Sequence, residues 1–497
     1  MIIQNIALNI LGLVVPFLVM VAAVPPVVRA LGEERYGYLA LISSFLSFLT
    51  VLDLGLGRAT TRYLAGLTGA GRGRQIRALL GTALSLSTGL GLAVTLALVL
   101  ASPLLAAHAL VSATVPESER VLLLYATAPA VLFTVWRSTL SGVLEAAQRF
   151  DLVNALRVPS LALTTLLPLL VVRAGGGLVA CVAALVIKDA VLVALTGLVV
   201  ARSLPPVAPD EPPPAPEVVA SLTSFSRWLF VHNVASCVLI YAERFAVPAL
   251  LSMTALTLYS IPYDLTGRFM VISGAVMAVL FPALSSAAAA HDRAELGRLF
   301  WPALKCLVLA AGFLSLALSL FAGEILALWL GPRFAESEAA LQVLAGGLTL
   351  ATLSWLESSV LQAAGLMKEV TVCVLWVVPV QLALTPLLVR SGGILGAALA
   401  ANVHRVITIV AFGRLIARHG LAPGGGAWRA ALAPAGAVAL LSLAVVASRT
   451  AGSPALVATA ARAALFAAGY AAVAWTLALG DDEKRPLRAA LRRATGR

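Results

Sequence analysis

Apolar stretches of 17 to 30 residues, parted by short polar segments, recur along the whole chain. A helix crossing a roughly 30 Å hydrocarbon core needs about 20 residues. That window predicts spans near 6–28, 38–64, 77–102, 119–143, 156–172, 177–201, 221–242, 255–284, 299–322, 339–362, 370–389, 394–417, 428–448 and 454–478. The runs are too long and too evenly apolar for the alternating strands of a membrane barrel, so helix is the expected element throughout. The first run lacks a basic leader and exceeds a signal-peptide core, which makes it a first membrane helix. The longest connection, Ser203 to Glu217, is Pro-rich and reads as a stiff extended linker. The expectation is an all-α polytopic membrane protein of about 14 transmembrane helices.

Composition agrees and narrows the class. Of 497 residues, 60% are apolar and 12% are charged, about half the charge of an ordinary soluble domain. Such a chain cannot cover itself with polar groups in water, and it is too apolar to be disordered. Yet the net charge is +12. A basic surface would suggest nucleic acid in a soluble protein; here the cations sit between apolar runs, where they mark the cytoplasmic side of a membrane. With the N-terminus inside, 22 of the 35 Lys and Arg fall on inner segments and eight on outer ones. Both termini are therefore expected in the cytoplasm.

The chain also repeats itself. Val143-Leu144-Glu145-Ala146-Ala147 matches Val360-Leu361-Gln362-Ala363-Ala364, and Arg173-Ala174-Gly175-Gly176 matches Arg390-Ser391-Gly392-Gly393, both at an offset of 217 residues. Lys188 maps onto Arg405 by the same step. The offset equals six spans, and an even-numbered unit returns to its starting side, so the repeats are expected to be parallel. This predicts an N-lobe at 1–202, the linker at 203–217, a C-lobe at 218–420, an appended helix pair at 421–480 and a basic tail at 481–497.

Ionisable residues within spans are costly and usually face a cavity or a partner. Asp53, Arg58 and Arg62 close the second span; Arg58 and Arg62 stack one turn apart, either as a cytoplasmic anchor or as a cavity wall that attracts anions. Asp264 and Arg268 stand one turn apart in the eighth span, where they can pair. Glu243-Arg244 falls at the outer end of the seventh and reads as an interface anchor or a site. Arg137 lies deeper in the fourth span, as does Lys188-Asp189 in the sixth. Neighbours on a helix point about 100° apart, so Lys188 and Asp189 are expected to have separate partners. His232 is either a proton site or a satisfied interior residue. Cys181, Cys237, Cys306 and Cys373 stand singly in apolar runs and read as small hydrophobes.

Catalytic signatures are absent: no phosphate-binding loop, no H-E-x-x-H, no G-x-S-x-G. Glu33-Glu34, in the loop after the first span, is the one feature suggesting a membrane glycosyltransferase. No cofactor or metal is expected.

Further segments stand out in order along the chain: Val27-Val28-Arg29-Ala30-Leu31-Gly32-Glu33-Glu34-Arg35-Tyr36-Gly37 with Asp53-Leu54-Gly55-Leu56-Gly57, then Gly142 to Asp151, Leu258-Tyr259-Ser260, Leu280 to Ser285 and Leu328-Trp329-Leu330-Gly331. Together they resemble the polysaccharide (O-antigen type) flippases of the multidrug/oligosaccharidyl-lipid/polysaccharide exporter superfamily, a likeness that covers about residues 5–420. The resemblance implies a V-shaped pair of lobes that carries undecaprenyl-diphosphate-linked oligosaccharide from the inner to the outer leaflet of the bacterial cytoplasmic membrane. Under it, Arg58, Arg62 and Arg268 engage the diphosphate and Arg29 receives it near the outer end of the first span. An H+ or Na+ gradient drives the cycle, with Asp53, Asp189, Glu243 and Asp264 as coupling candidates. Membrane lipids and a polysaccharide polymerase are the implied partners, with no nucleic acid. A drug or small-solute antiporter on the same fold is the alternative, and it should have an acidic rather than a basic cavity.

Overall fold

Turn chemistry sets the ends of the helices. The computed structural model describes residues 2–51, 73–110, 112, 114–204, 227–289, 293–421 and 456–478. It is helical at nearly every described position. The helices are α1 (Ile2–Leu31), α2 (Glu33–Val51), α3 (Gly73–Leu104), α4 (Glu117–Ala146), α5 (Phe150–Arg173), α6 (Leu178–Ser203), α7 (Arg227–Leu250) and α8 (Met253–Ala289). They continue with α9 (Arg293–Leu320), the short α10 (Ala322–Trp329), α11 (Glu338–Ala363), α12 (Met367–Arg418) and α13 (Leu456–Val473). Eight helices among the described residues are long and apolar enough to cross a membrane. The span expected at 428–448, the linker at 205–217 and the tail lie outside the described residues.

The 217-residue repeat has a geometric counterpart. After α4, Ala147 N–H donates to Val143 O (3.0 Å), Gln148 to Glu145 O (3.0 Å) and Arg149 to Leu144 O (2.9 Å). After α11, Ala364 donates to Val360 O, Gly365 to Gln362 O and Leu366 to Leu361 O at 3.0, 3.0 and 2.9 Å. Every partner is shifted by the same 217 positions. Both turns need one left-handed residue: Gly365 supplies it at φ 79°, whereas Gln148 adopts it at φ 56°, where a side chain is strained.

The helix α12 counts 52 residues; unbroken, these would run about 78 Å at 1.5 Å per residue, more than twice the hydrocarbon thickness. Gly393, at φ 58° and ψ −136°, breaks it into the two spans expected at 370–389 and 394–417.

By internal contacts the residues form two units, Met1–Ser260 with Val374–Ala397 and Ile261–Cys373 with Ala398–Arg497. In the first, α4 packs between α3 and α6 around Ile76, Leu79, Leu140, Leu144, Val193 and Val200. The Ser87 and Thr139 hydroxyls share a 2.7 Å bond between α3 and α4. With apolar lipid outside, close packing and such polar clasps do what the hydrophobic effect does in water. In the second unit, α9 and α11 pair the same way, with Ser315 and Thr349 hydroxyls 2.8 Å apart. There α13 docks onto α9 through Phe466 stacked on Phe313 (ring centroids 5.7 Å) and Tyr470 OH donating to Leu309 O at 2.9 Å. The ion pair Arg462–Glu324 (3.4 Å) ties its start to α10.

Candidate functional site

Four contacts join α2 to α7 and the start of α8, in antiparallel register. Thr257 Oγ1 donates to Glu33 O at 2.5 Å. Gly37 lies against the backbone of Met253; a Cβ there would overlap Met253 O and sit 2.8 Å from its carbonyl carbon. Arg244 Nη1 donates to Ser44 Oγ at 2.7 Å. Phe48 meets Tyr241 and Phe245 edge-on, with centroids 6.2 and 6.0 Å apart. From Glu33 to Phe48 this seam runs about 22 Å along α2. Around its head, Arg35 pairs with Glu119 (3.0 Å) and Tyr38 OH donates to Leu110 O (2.7 Å). Glu34 accepts from Ser112 and Thr114, each at 2.5 Å. The acidic pair Glu33-Glu34 is thus the first turn of α2, where carboxylates complement the helix dipole, and Glu34 is taken up by hydroxyls rather than presented as a catalytic base.

Glu243 and Arg244 depart from the sequence expectation. Rather than ending near 242, α7 continues to Leu250, because Phe245 to Leu250 keeps an apolar helical run whose lone Pro248 does not break it. Both residues therefore lie inside a helix, 0% and 6% exposed, and neither is an interface anchor. Their side chains point about 100° apart and serve different neighbours: Arg244 reaches Ser44 on α2, while Glu243 accepts from Gln381 Nε2 on the first arm of α12. A charge at bilayer depth costs roughly 2.5–3.5 kcal/mol, so two at neighbouring positions of α7 need partners of this kind.

Lys188 and Asp189 depart as well. Lys188 Nζ lies 3.1 Å from Asp189 Oδ1 and donates to Thr164 Oγ1 on α5 at 2.8 Å. The long lysine stem swings across the angle between neighbouring positions, so the two residues neutralise each other instead of seeking separate partners. Arg137 is half-buried on α4 in the same unit. Arg405, the repeat counterpart of Lys188, donates to Gly347 O (3.2 Å) and to Asn402 Oδ1 (2.8 Å), which fastens the second arm of α12 to α11.

Of the cavity cations, Arg29 is exposed in the last turn of α1. Arg268 and Asp264 are both half-buried on α8, one turn apart. Asp53, Arg58 and Arg62 lie outside the described residues. His232 is half-buried with Nε2 3.4 Å from Ser236 Oγ. Cys181 and Cys237 are buried, Cys373 is intermediate and Cys306 is exposed. Sequence reasoning passed over Ser44, Thr257, Gln381 and Glu357, the last 2% exposed on α11. Gln381 and Glu357 are lone polar residues in apolar runs and carry the intramembrane-polar signal that found Glu243. Ser44 and Thr257 carry none, being common in any helix.

The family described as "Polysaccharide biosynthesis protein" matches residues 2–288, more than half of the chain. The chain belongs to this family. A Shigella flexneri protein named "Putative O-antigen transporter" is 22% identical over 407 residues, which cover 82% of this chain and 95% of that one. Among solved structures, the lipid II flippase MurJ in an inward closed conformation superposes with a TM-score of 0.72 at 14% identity, over 95% of this chain and 97% of MurJ. An inward-facing multidrug resistance MATE family transporter of the MOP superfamily gives 0.67 at 17% identity, over 82% and 98%. The chain therefore has the all-helical fold of these transporters, and the proteins it resembles move molecules rather than transform them.

Proposed function

We propose that this protein is a flippase that moves a lipid-linked oligosaccharide, carried on undecaprenyl diphosphate, from the inner to the outer leaflet of the bacterial cytoplasmic membrane. The match to nearly the full length of the O-antigen transporter relative carries this reading. The fold shared with MurJ and the MATE transporter supports it.

The α2–α7/α8 seam has a mechanical part in this reading. Positive-inside counting puts the Glu33 end of α2 and the Met253 end of α8 on the outer side, so the seam seals the outward path while the inward side admits substrate. Its parting then opens the path outward. Guanidinium groups suit diphosphate oxygens in geometry and charge, which gives Arg58, Arg62 and Arg268 the task of holding the headgroup and exposed Arg29 that of receiving it. An H+ or Na+ gradient supplies the drive. Glu243 is the coupling carboxylate that fits best: it is fully buried on α7 beside the seam residue Arg244, and neutralising it alters the α7–α12 bond to Gln381. Asp189 is already engaged by Lys188, while Asp53 and Asp264 complete the candidates. A polysaccharide polymerase would consume the product outside.

The test is reconstitution in vesicles with a fluorescent polyprenyl-diphosphate sugar, scored by the fraction reaching the opposite leaflet. Transfer should require a gradient and fall at least tenfold in Arg58→Ala/Arg268→Ala. Undiminished transfer in that variant refutes the headgroup assignment. Export of a small cation with no lipid transfer replaces the flippase by the antiporter.

A further inference from the structure

A groove between α3, α4 and α6 in the first unit takes no part in the seam. Its volume is about 380 Å³, and Leu80, Leu84, Trp136, Val193, Gly197 and Val200 form most of its wall. Its polar side chains, Trp136 and Thr88, are spent on one another: Trp136 Nε1 donates to Thr88 Oγ1 at 2.9 Å, and Thr88 donates to Leu84 O at 2.7 Å. A sugar or a file of waters would find no hydrogen-bonding group there, whereas hydrocarbon fits.

Two features identify which hydrocarbon. One is length. From Leu80 to Thr88 the wall rises about 12 Å, and from Val193 to Leu204 about 16 Å, close to one leaflet's share of the roughly 30 Å core. A polyprenyl tail is much longer than that. The other is charge, which is gathered at one end. Arg77 stands one turn before Leu80 on α3, Arg202 adjoins Ala201 at the end of α6, and both are exposed. Cations at the mouth of an apolar slot one leaflet deep complement a phosphate joined to an acyl chain.

We propose that this groove seats one acyl chain of an anionic glycerophospholipid whose phosphate lies at Arg77 and Arg202. Because α3 packs on α4, the lipid fills the open side between α3 and α6. Gly197 keeps the slot clear: a Cβ there would meet Leu140 Cδ1 at 3.9 Å and nothing closer.

The test uses the full chain in nanodiscs containing phosphatidylglycerol brominated along its acyl chain. Trp136 fluorescence is isolated as the difference between the parent and Trp136→Phe. Trp136 should be quenched, with phosphatidylglycerol preferred over brominated phosphatidylcholine. Arg77→Gln and Arg202→Gln should each reduce that preference about fivefold. Gly197→Leu, which fills the slot, should abolish quenching, and Gly197→Ala should keep it. Equal quenching by both lipids, or quenching unchanged in Gly197→Leu, overturns the proposal. Displacement of the brominated lipid by equimolar polyprenyl phosphate overturns it in favour of the transported lipid. The arginine variants change exposed positions and report even where Gly197→Leu does not fold. Leaflet transfer is not the readout, so failure here leaves the flippase reading standing.

Discussion

Replacing Gly37 with alanine should loosen the α2–α7/α8 seam, the proposed outer closure, without touching any charged group. The added Cβ would overlap the carbonyl oxygen of Met253, lie 2.8 Å from its carbon and 3.1 Å from Thr257 Oγ1. Backbone cannot rotate aside as a side chain does, so α2 and the first turn of α8 must part by on the order of 1 Å. Overpacking of this kind costs about 1–3 kcal/mol, and it is charged only to the state in which the seam is closed. At 1.4 kcal/mol per tenfold, the open population should rise about 5- to 150-fold. Ser44, 1% exposed within the seam, is the natural reporter. With the four native cysteines replaced, Ser44→Cys in sealed vesicles should react slowly with an impermeant maleimide added outside, and faster by that factor when Gly37→Ala is present. Both proteins carry the reporter, so its effect on Arg244 cancels. A labelling rate within about twofold of the parent, in protein that still melts cooperatively, would refute the assignment of this seam as the outer closure.

Other consequences follow from named contacts. Lys188→Met leaves Asp189 buried without its cation and should lower stability by about 3–5 kcal/mol, while Lys188→Met/Asp189→Leu should recover most of it; thermal melts of the two variants decide whether the pair is self-neutralising. Gln148→Gly relieves a left-handed side chain and should raise stability by up to about 1 kcal/mol, with Gly365→Gln losing a similar amount at the matching turn; a reversed order of melting temperatures would disprove the equivalence. Phe466→Ala empties the ring cluster that holds α13 and should cost about 3–5 kcal/mol, seen as proteolysis near α13 ahead of global unfolding. Glu243→Gln should uncouple lipid transfer from the ion gradient while the protein stays folded, read as equal initial rates with and without the gradient.

Period and length alone determine much about this chain. Apolar runs of about 20 residues admit only helices in a bilayer, because no water is present to satisfy a bare backbone. Positive residues between runs set the expected sides, and the offset of 217 announces a duplicated unit whose turns then show the same three hydrogen bonds. Intramembrane charge alone singles out Glu243, Lys188, Asp189 and Arg405, since burying charge is expensive wherever the chain goes. Their partners were another matter. Gln381 is 138 residues from Glu243, and Ser44 is 200 from Arg244; no local rule joins them, because helix–helix contact in lipid rests on close shape fit and single polar bonds rather than on an apolar stripe. Hydrophobicity could not say which face of α2 meets α7, as nearly every face is apolar. Gly37 closes a family-like segment, but nothing in the sequence sets Met253 against it. The sequence alone thus decided that the chain spans the membrane and which charges must be accounted for; only the tertiary structure decided what answers each charge and where α2 meets α7 and α8.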